Sequence, residues 1–175
     1  GCRAHRPTPT TNWQHAMWTE ALALRNVLPP HGGQILVVAH SVVNAPWPNN
    51  VLIDQLCWGE KLSGSYSRIL LEGCGNYEWP DVLRQLDDVL LADGKLVVLA
   101  PRPWPLGVRG SRWCSGPCLH HWRGWATEAG FEVELATTVA GRWWLLGLGA
   151  VRVLVLRRIA RARPIVGKQA ASALN

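Results

Sequence analysis

The stretch LLADGKLVVLAP at residues 90–101 restricts the fold more than any other part of the chain. Asp93-Gly94 between two apolar runs reads either as a hairpin turn or as the corner where a helix ends and a buried strand begins. Upstream, in PDVLRQLDDVLLADG, Val82, Leu83, Leu86, Val89 and Leu90 recur at helical spacing, whereas a hairpin arm would alternate with period two. Pro80 suits a first helical turn, and Asp81 complements the positive end of the helix dipole. The spacing predicts a helix over 81–93 with Gly94 as its left-handed C-terminal cap. KLVVLAP is then a continuous apolar strand ended by Pro101, and strands apolar on both faces belong to parallel sheets covered by helices.

The same alternation recurs along the chain. Residues 11–28 read as a helix capped by Thr10 or Thr11, the PPHGG break follows, and QILVVAH (34–40) is a strand. VNAPWPNN (43–50) is a loop into a short strand, VLID (51–54), and RILLEG (68–73) is the next. CLHHWRGWATEAGF (118–131) reads as a helix with Leu119, Trp122, Trp125 and Ala126 on one face and Gly130 at its end. FEVELATTV (131–139) and VRVLVLRR (151–158) are the last strands. Helices and strands joined by short connections predict an α/β fold: a doubly wound, mostly parallel sheet with helices on both faces. A chain of 175 residues fits one domain, here expected over 1–165 with a flexible tail at 166–175.

Composition removes several function classes. Apolar content of 48% and charged content of 17% exclude a disordered chain. The net charge of +6 arises after Glu134, where seven basic residues and no acidic ones follow, so a nucleic-acid-coating protein is not indicated and a basic C-terminal segment is. Five irregularly spaced cysteines (Cys2, Cys57, Cys74, Cys114, Cys118) form no disulfide framework, which points to a reducing, cytoplasmic compartment, and no signal-peptide pattern opens the chain. WWLLGLGAVRVLVL (143–156) is shorter than the roughly 20 apolar residues that span a bilayer and contains Arg152, so it reads as a buried element, with an interfacial helix as the alternative.

In order, VLIDQL…GEKLSGSYSRILLEGC, WPDVLRQLDDVLLADGKLVVLAP and WATEAGFEVE resemble the central and C-terminal parts of the class I S-adenosylmethionine-dependent methyltransferases. The Pro/Trp-rich PRPWPLGVRG and the basic trailing strand resemble a bacterial branch of that family. The resemblance covers about residues 34–165 and implies a Rossmann-like fold, S-adenosylmethionine as cofactor and methyl transfer to an unidentified small-molecule or macromolecular acceptor. It places Asp54 near the adenine and Glu72 and Gly73 at the ligand edge of the sheet.

The departures are equally specific. A glycine-rich loop after the first strand, where any Cβ would collide with the cofactor, has only GCRAHR, beginning at Gly1, as its counterpart. The second strand ends in AHS rather than an acidic residue, leaving His40 to hydrogen-bond a ligand hydroxyl, and Ser67-Arg68 replace an expected Asp. Two readings follow: a chain whose first strand lies upstream of Gly1, or a methyltransferase fold with a degenerate cofactor loop. The rival function is a non-catalytic interaction protein docking through Trp-rich loops and its basic tail, RRIARARP (157–164).

Each candidate also has a plainer reading. Asp54 caps a turn, Glu72 is a solvated loop carboxylate, Gly73 permits a turn and His40 is packed. Trp104 and Trp113, candidate acceptor-binding residues, pack the loop. CSGPCLHHW (114–122) has no strong zinc spacing, and adjacent His120 and His121 diverge by about 100° on a helix. Ser115 as N-cap with Pro117 in the first turn accounts for it without a metal. Gly147-Leu148-Gly149 lacks a dinucleotide fingerprint.

Overall fold

A computed structural model of the chain describes residues 18–40, 42–73, 75–101, 117–140 and 150–159. Six strands, β1 (Gly33–Ala39), β2 (Val51–Cys57), β3 (Tyr66–Glu72), β4 (Leu90–Pro101), β5 (Phe131–Ala140) and β6 (Ala150–Arg158), form one sheet in the order β2-β1-β3-β4-β6-β5. The first three pairings are parallel, and β6 lies antiparallel between β4 and β5. The sheet is therefore mixed, and the mostly parallel expectation holds for three of its five pairings. A strand running back between two others needs no covering crossover helix.

Alternate residues of the central strands sort into two cores. Leu36, Val38, Ile69, Leu71, Leu96, Val98, Leu154 and Leu156 pack beneath two helices, α1 (Trp79–Asp88) and α2 (Leu119–Glu128). Ile35, Val37, Leu70, Val97, Val153 and Val155 face Trp18, Ala21 and Leu22 of a helical stretch at 18–22 on the opposite side. Burying each such side chain contributes roughly 1.5–3 kcal/mol. Helices thus cover both faces, and the second half of 143–156 is a buried central strand. No helix among the described residues is long and apolar enough to cross a membrane.

Three expected helix boundaries move. The first helix gives way after residue 22 to tight turns, with Asn26 in the left-handed region (φ 72), a conformation Asn tolerates better than most residues. Helix α1 stops at Asp88, five residues short of the expectation, because buried Val89 and Leu90 turn into the sheet: the Tyr66 N–H donates to the Val89 carbonyl (2.8 Å) and Leu90 pairs with Tyr66. Gly94 is consequently inside β4 and not a left-handed cap. It is needed for closeness, since a Cβ there would lie 2.7 Å from Leu90 Cδ1 and 2.9 Å from the Leu91 carbonyl oxygen, where the strand bulges. Helix α2 starts after Cys118, so Cys118 and not Ser115 is the N-cap and Pro117 precedes it. Its other end agrees with the sequence, Gly130 taking φ +89 after the last turn.

Arg158 is not part of a solvated basic end. Its guanidinium donates to the carbonyls of Asp87 (2.6 Å), Leu90 (2.7 Å) and Leu91 (3.0 Å) and to the Asp87 carboxylate, satisfying the carbonyl end of α1. Residues 160–175, which hold the rest of the basic tail, lie outside the described residues.

Candidate functional site

From β1 the chain crosses to β2 on one side, and from β3 it crosses to β4 on the other. The carboxyl ends of β1 and β3 are therefore neighbours from which the chain departs in opposite directions, the place where open α/β sheets bind ligands. His40 follows β1 and Glu72 ends β3. Glu72 is only 7% exposed, and its Oε2 accepts from the His40 backbone N–H (2.9 Å) and lies 3.2 Å from His40 Nδ1. His40 Nδ1 thus faces the carboxylate, and on the other side of the ring Nε2 and the Tyr77 hydroxyl lie 3.1 Å apart.

Aromatic rings wall this edge. Trp58, directly after β2, stacks on Tyr77 (centroids 4.4 Å apart, 14° between planes), and both meet Trp79 edge-on at 5.9 and 5.4 Å. Trp79 continues to Trp122 at 4.8 Å, and Trp122 to Trp125 at 5.3 Å. The wall is thus built from the residues that follow β2 and β3 together with one face of α2.

Of the residues singled out from the sequence, the structure brings His40, Glu72 and Gly73 together. Asp54 is elsewhere. It is the fourth residue of the seven-residue β2, not a residue beyond a strand end, and its Oδ2 accepts from Gln34 Nε2 (2.9 Å) and the Tyr66 hydroxyl (3.1 Å) near the opposite end of the sheet. Burial, then that hydrogen bond and the Asp54 charge, raise the Tyr66 pKa above its ordinary value. The backbone of Gly73 is not open to a ligand on its Cβ side: an added Cβ would lie 2.6 Å from Val98 Cγ1 and 2.9 Å from Trp122 Cζ2. Gly1, Trp104 and Trp113 lie outside the described residues.

Trp58, Tyr77 and Trp79 were not picked out from the sequence. The available signal was their position, one to seven residues beyond strands whose ends were already expected to bind ligand. In CSGPCLHHW, Cys118 Sγ lies 3.0 Å from His121 Nδ1, Cys114 lies outside the described residues, and no group of three metal-ligating side chains occurs among the described residues.

No family model matches the chain, and no curated protein sequence matches it. Solved structures do. The pyocyanin biosynthetic protein PhzM aligns with 84% of this chain at a TM-score of 0.53 and 12% identity. CalO1, a methyltransferase in calicheamicin biosynthesis solved in its SAH-bound form, aligns with 84% at 0.52 and 12% identity. This chain spans 55% and 54% of those two chains, and 35% of the mitomycin 7-O-methyltransferase MmcR, with which it aligns at 0.42.

The donor set suits one half of the cofactor such a fold implies. Glu72 offers a buried carboxylate for paired hydroxyls, and Trp58 and Tyr77 offer aromatic surface for a base. The described residues supply no glycine cradle for the amino-acid half, since β1 and β3 are hydrogen-bonded to each other and Gly73 is closed by Trp122. At 12% identity the likeness establishes architecture alone: this chain has a methyltransferase-like fold.

Proposed function

We propose that this chain is an S-adenosylmethionine-dependent methyltransferase-like domain whose ligand edge lies across the carboxyl ends of β1, β3 and β4. The observation that carries the reading is Glu72, a buried carboxylate at the sheet's point of reversal with an aromatic wall beside it. The cofactor, when bound, supplies an electrophilic methyl group on a sulfonium. The residues of this chain bind and orient. Glu72 accepts from ribose hydroxyls, with His40 holding the carboxylate in place through its backbone N–H. Trp58 and Tyr77 present ring surface to the adenine and exclude water. The loop that begins at Gly1 is the candidate for the amino-acid half, and Trp104 and Trp113 are candidates for the acceptor side. The neighbours' roles in calicheamicin and pyocyanin biosynthesis favour a small organic acceptor.

Calorimetric titration of S-adenosylhomocysteine into the 175-residue chain tests this. The expected result is saturable one-to-one binding that Glu72→Gln weakens about tenfold or more, the loss of a charge-assisted hydrogen bond. Binding that is indifferent to Glu72→Gln would move the cofactor away from this edge, and no binding at all would refute the reading for this chain.

A further inference from the structure

Four buried side-chain nitrogens among the described residues have no hydrogen-bond partner: Trp58 Nε1, Arg68 Nε, Trp122 Nε1 and Arg152 Nη1. All four are donors. Arg68 lies toward the amino end of β3, where its Nη1 donates to the Ser67 carbonyl and the charges of Asp93 and Glu134 offset part of its burial. The other three have no such compensation, and they belong to the opposite edge.

Arg152 is the third residue of β6, its Cα opposite Ala100 on β4 and Thr138 on β5. Strand alternation puts it on the face of Leu154 and Leu156, the face that α2 covers with the fully buried Trp122. Its β4 neighbour on that face, Ala100, is small and fully buried. All twelve acidic residues of the chain lie among the described residues, and their ion pairs with other described residues are with His40, Arg84, Lys95, Arg157 and Arg158, not with Arg152. Arg152 therefore has a buried N–H and a positive charge that no acidic side chain answers. Leaving such a donor unmade is costly, and replacing its lost water with an external acceptor recovers that cost.

We propose that the edge over β4 and β6 is an oxyanion subsite, in which Arg152 and the indole N–H of Trp122 take a carboxylate or phosphate monoester carried on an apolar body. The site names the acceptor's chemical class, and it rests on the assignment of this edge as the ligand edge. The partly exposed Trp125, edge-on against Trp122 at 5.3 Å, fits the apolar body, and the two donors fit its charged group.

The test is NMR of the chain labelled with ¹⁵N at its tryptophan indoles, the Trp122 resonance being the one absent from Trp122→Phe. Benzoate, phenyl phosphate and neutral benzamide are titrated separately. The inference expects saturable displacement of the Trp122 indole signal by at least one of the two anions and none by benzamide. A response to benzoate alone selects a carboxylate, and one to phenyl phosphate alone a phosphate ester. Arg152→Gln is expected to weaken that binding about tenfold or more. Equal displacement by benzamide, or unchanged affinity in Arg152→Gln, overturns the subsite. S-adenosylhomocysteine titrated into the same samples separates the two readings. Its binding without any anion response removes the oxyanion subsite alone, whereas anion binding without it leaves the subsite standing and removes the cofactor assignment.

Discussion

Replacing Gly73 with alanine decides whether that glycine serves packing or ligand. The added Cβ would sit 2.6 Å from Val98 Cγ1 and 2.9 Å from Trp122 Cζ2, short of the 3.4 Å of ordinary contact by about 0.8 and 0.5 Å. Both neighbours are 0% exposed, so neither has solvent to swing into. Overpacking of this kind costs about 1–3 kcal/mol, which for a chain of this size lowers the melting temperature by several degrees. The assay is urea denaturation of Gly73→Ala, Val98→Ala and the double variant. Removing Val98 Cγ1 relieves the closer clash, so the double variant is expected to lose about 1 kcal/mol less than the sum of the singles. Gly124→Ala is the control: nothing lies within 4 Å of its Cβ position inside α2, and it should gain about 0.5–1 kcal/mol. A Gly73→Ala protein of unchanged stability that has lost S-adenosylhomocysteine binding would refute the packing argument and make Gly73 a cradle residue.

Arg158→Ala should destabilise by roughly 2–3 kcal/mol in urea denaturation, because three carbonyls and the Asp87 carboxylate lose a charged donor. Arg157→Ala, which breaks only an exposed pair with Glu132, should cost less than about 1 kcal/mol. Tyr66 has a raised pKa, so the folded state holds its proton more tightly than the unfolded state does. The stability this provides is complete below the ordinary value of 10.0 and is lost as pH rises through the folded value. Tyr66→Phe should therefore flatten the alkaline decline in urea midpoint above pH 10, and an undiminished decline would remove Tyr66 as its source. Asp54→Ala should lower stability yet leave any S-adenosylhomocysteine affinity unchanged, as read by calorimetry, since its carboxylate is engaged with Gln34 and Tyr66 away from the ligand edge.

The elements that a single periodicity defines were legible in the sequence. KLVVLAP, QILVVAH and RILLEG fall on β4, β1 and β3, and Leu119, Trp122, Trp125 and Ala126 do share the core-facing side of α2. What failed was competition between local and distant forces. The helical spacing of Val89 and Leu90 continues past Asp88, but pairing with β3 captures them first, and Gly94 then serves a bulge in place of a cap. Strand direction was hidden for a similar reason: the apolar run of β6 reads alike whether it lies parallel or antiparallel to its neighbours. At the site, His40 and Glu72 were found as strand-end polar residues. Their hydrogen bond across 32 residues, and the stacking of Trp58 on Tyr77, depend on strand order, which no local pattern encodes.

The two edges of the sheet differ in how their polar groups balance. Among the described residues two charged side chains are buried, Arg68 and Glu72, near opposite ends of the same strand. Around Arg68 the carboxylates of Asp93 and Glu134 offset burial, Glu134 also pairs with Lys95, and one N–H finds the Ser67 carbonyl. Around Glu72 the single carboxylate is taken by His40, while Trp58, Trp122 and Arg152 keep buried donors with nothing to accept from them. Structural burial alone favours pairing such donors or replacing them with apolar side chains of similar shape. Three such donors at the carboxyl edge of the sheet, against the single Arg68 Nε at the other, are what a site for acceptor-rich ligands requires, and the aromatic wall supplies the low-dielectric surroundings in which those donors bind most strongly.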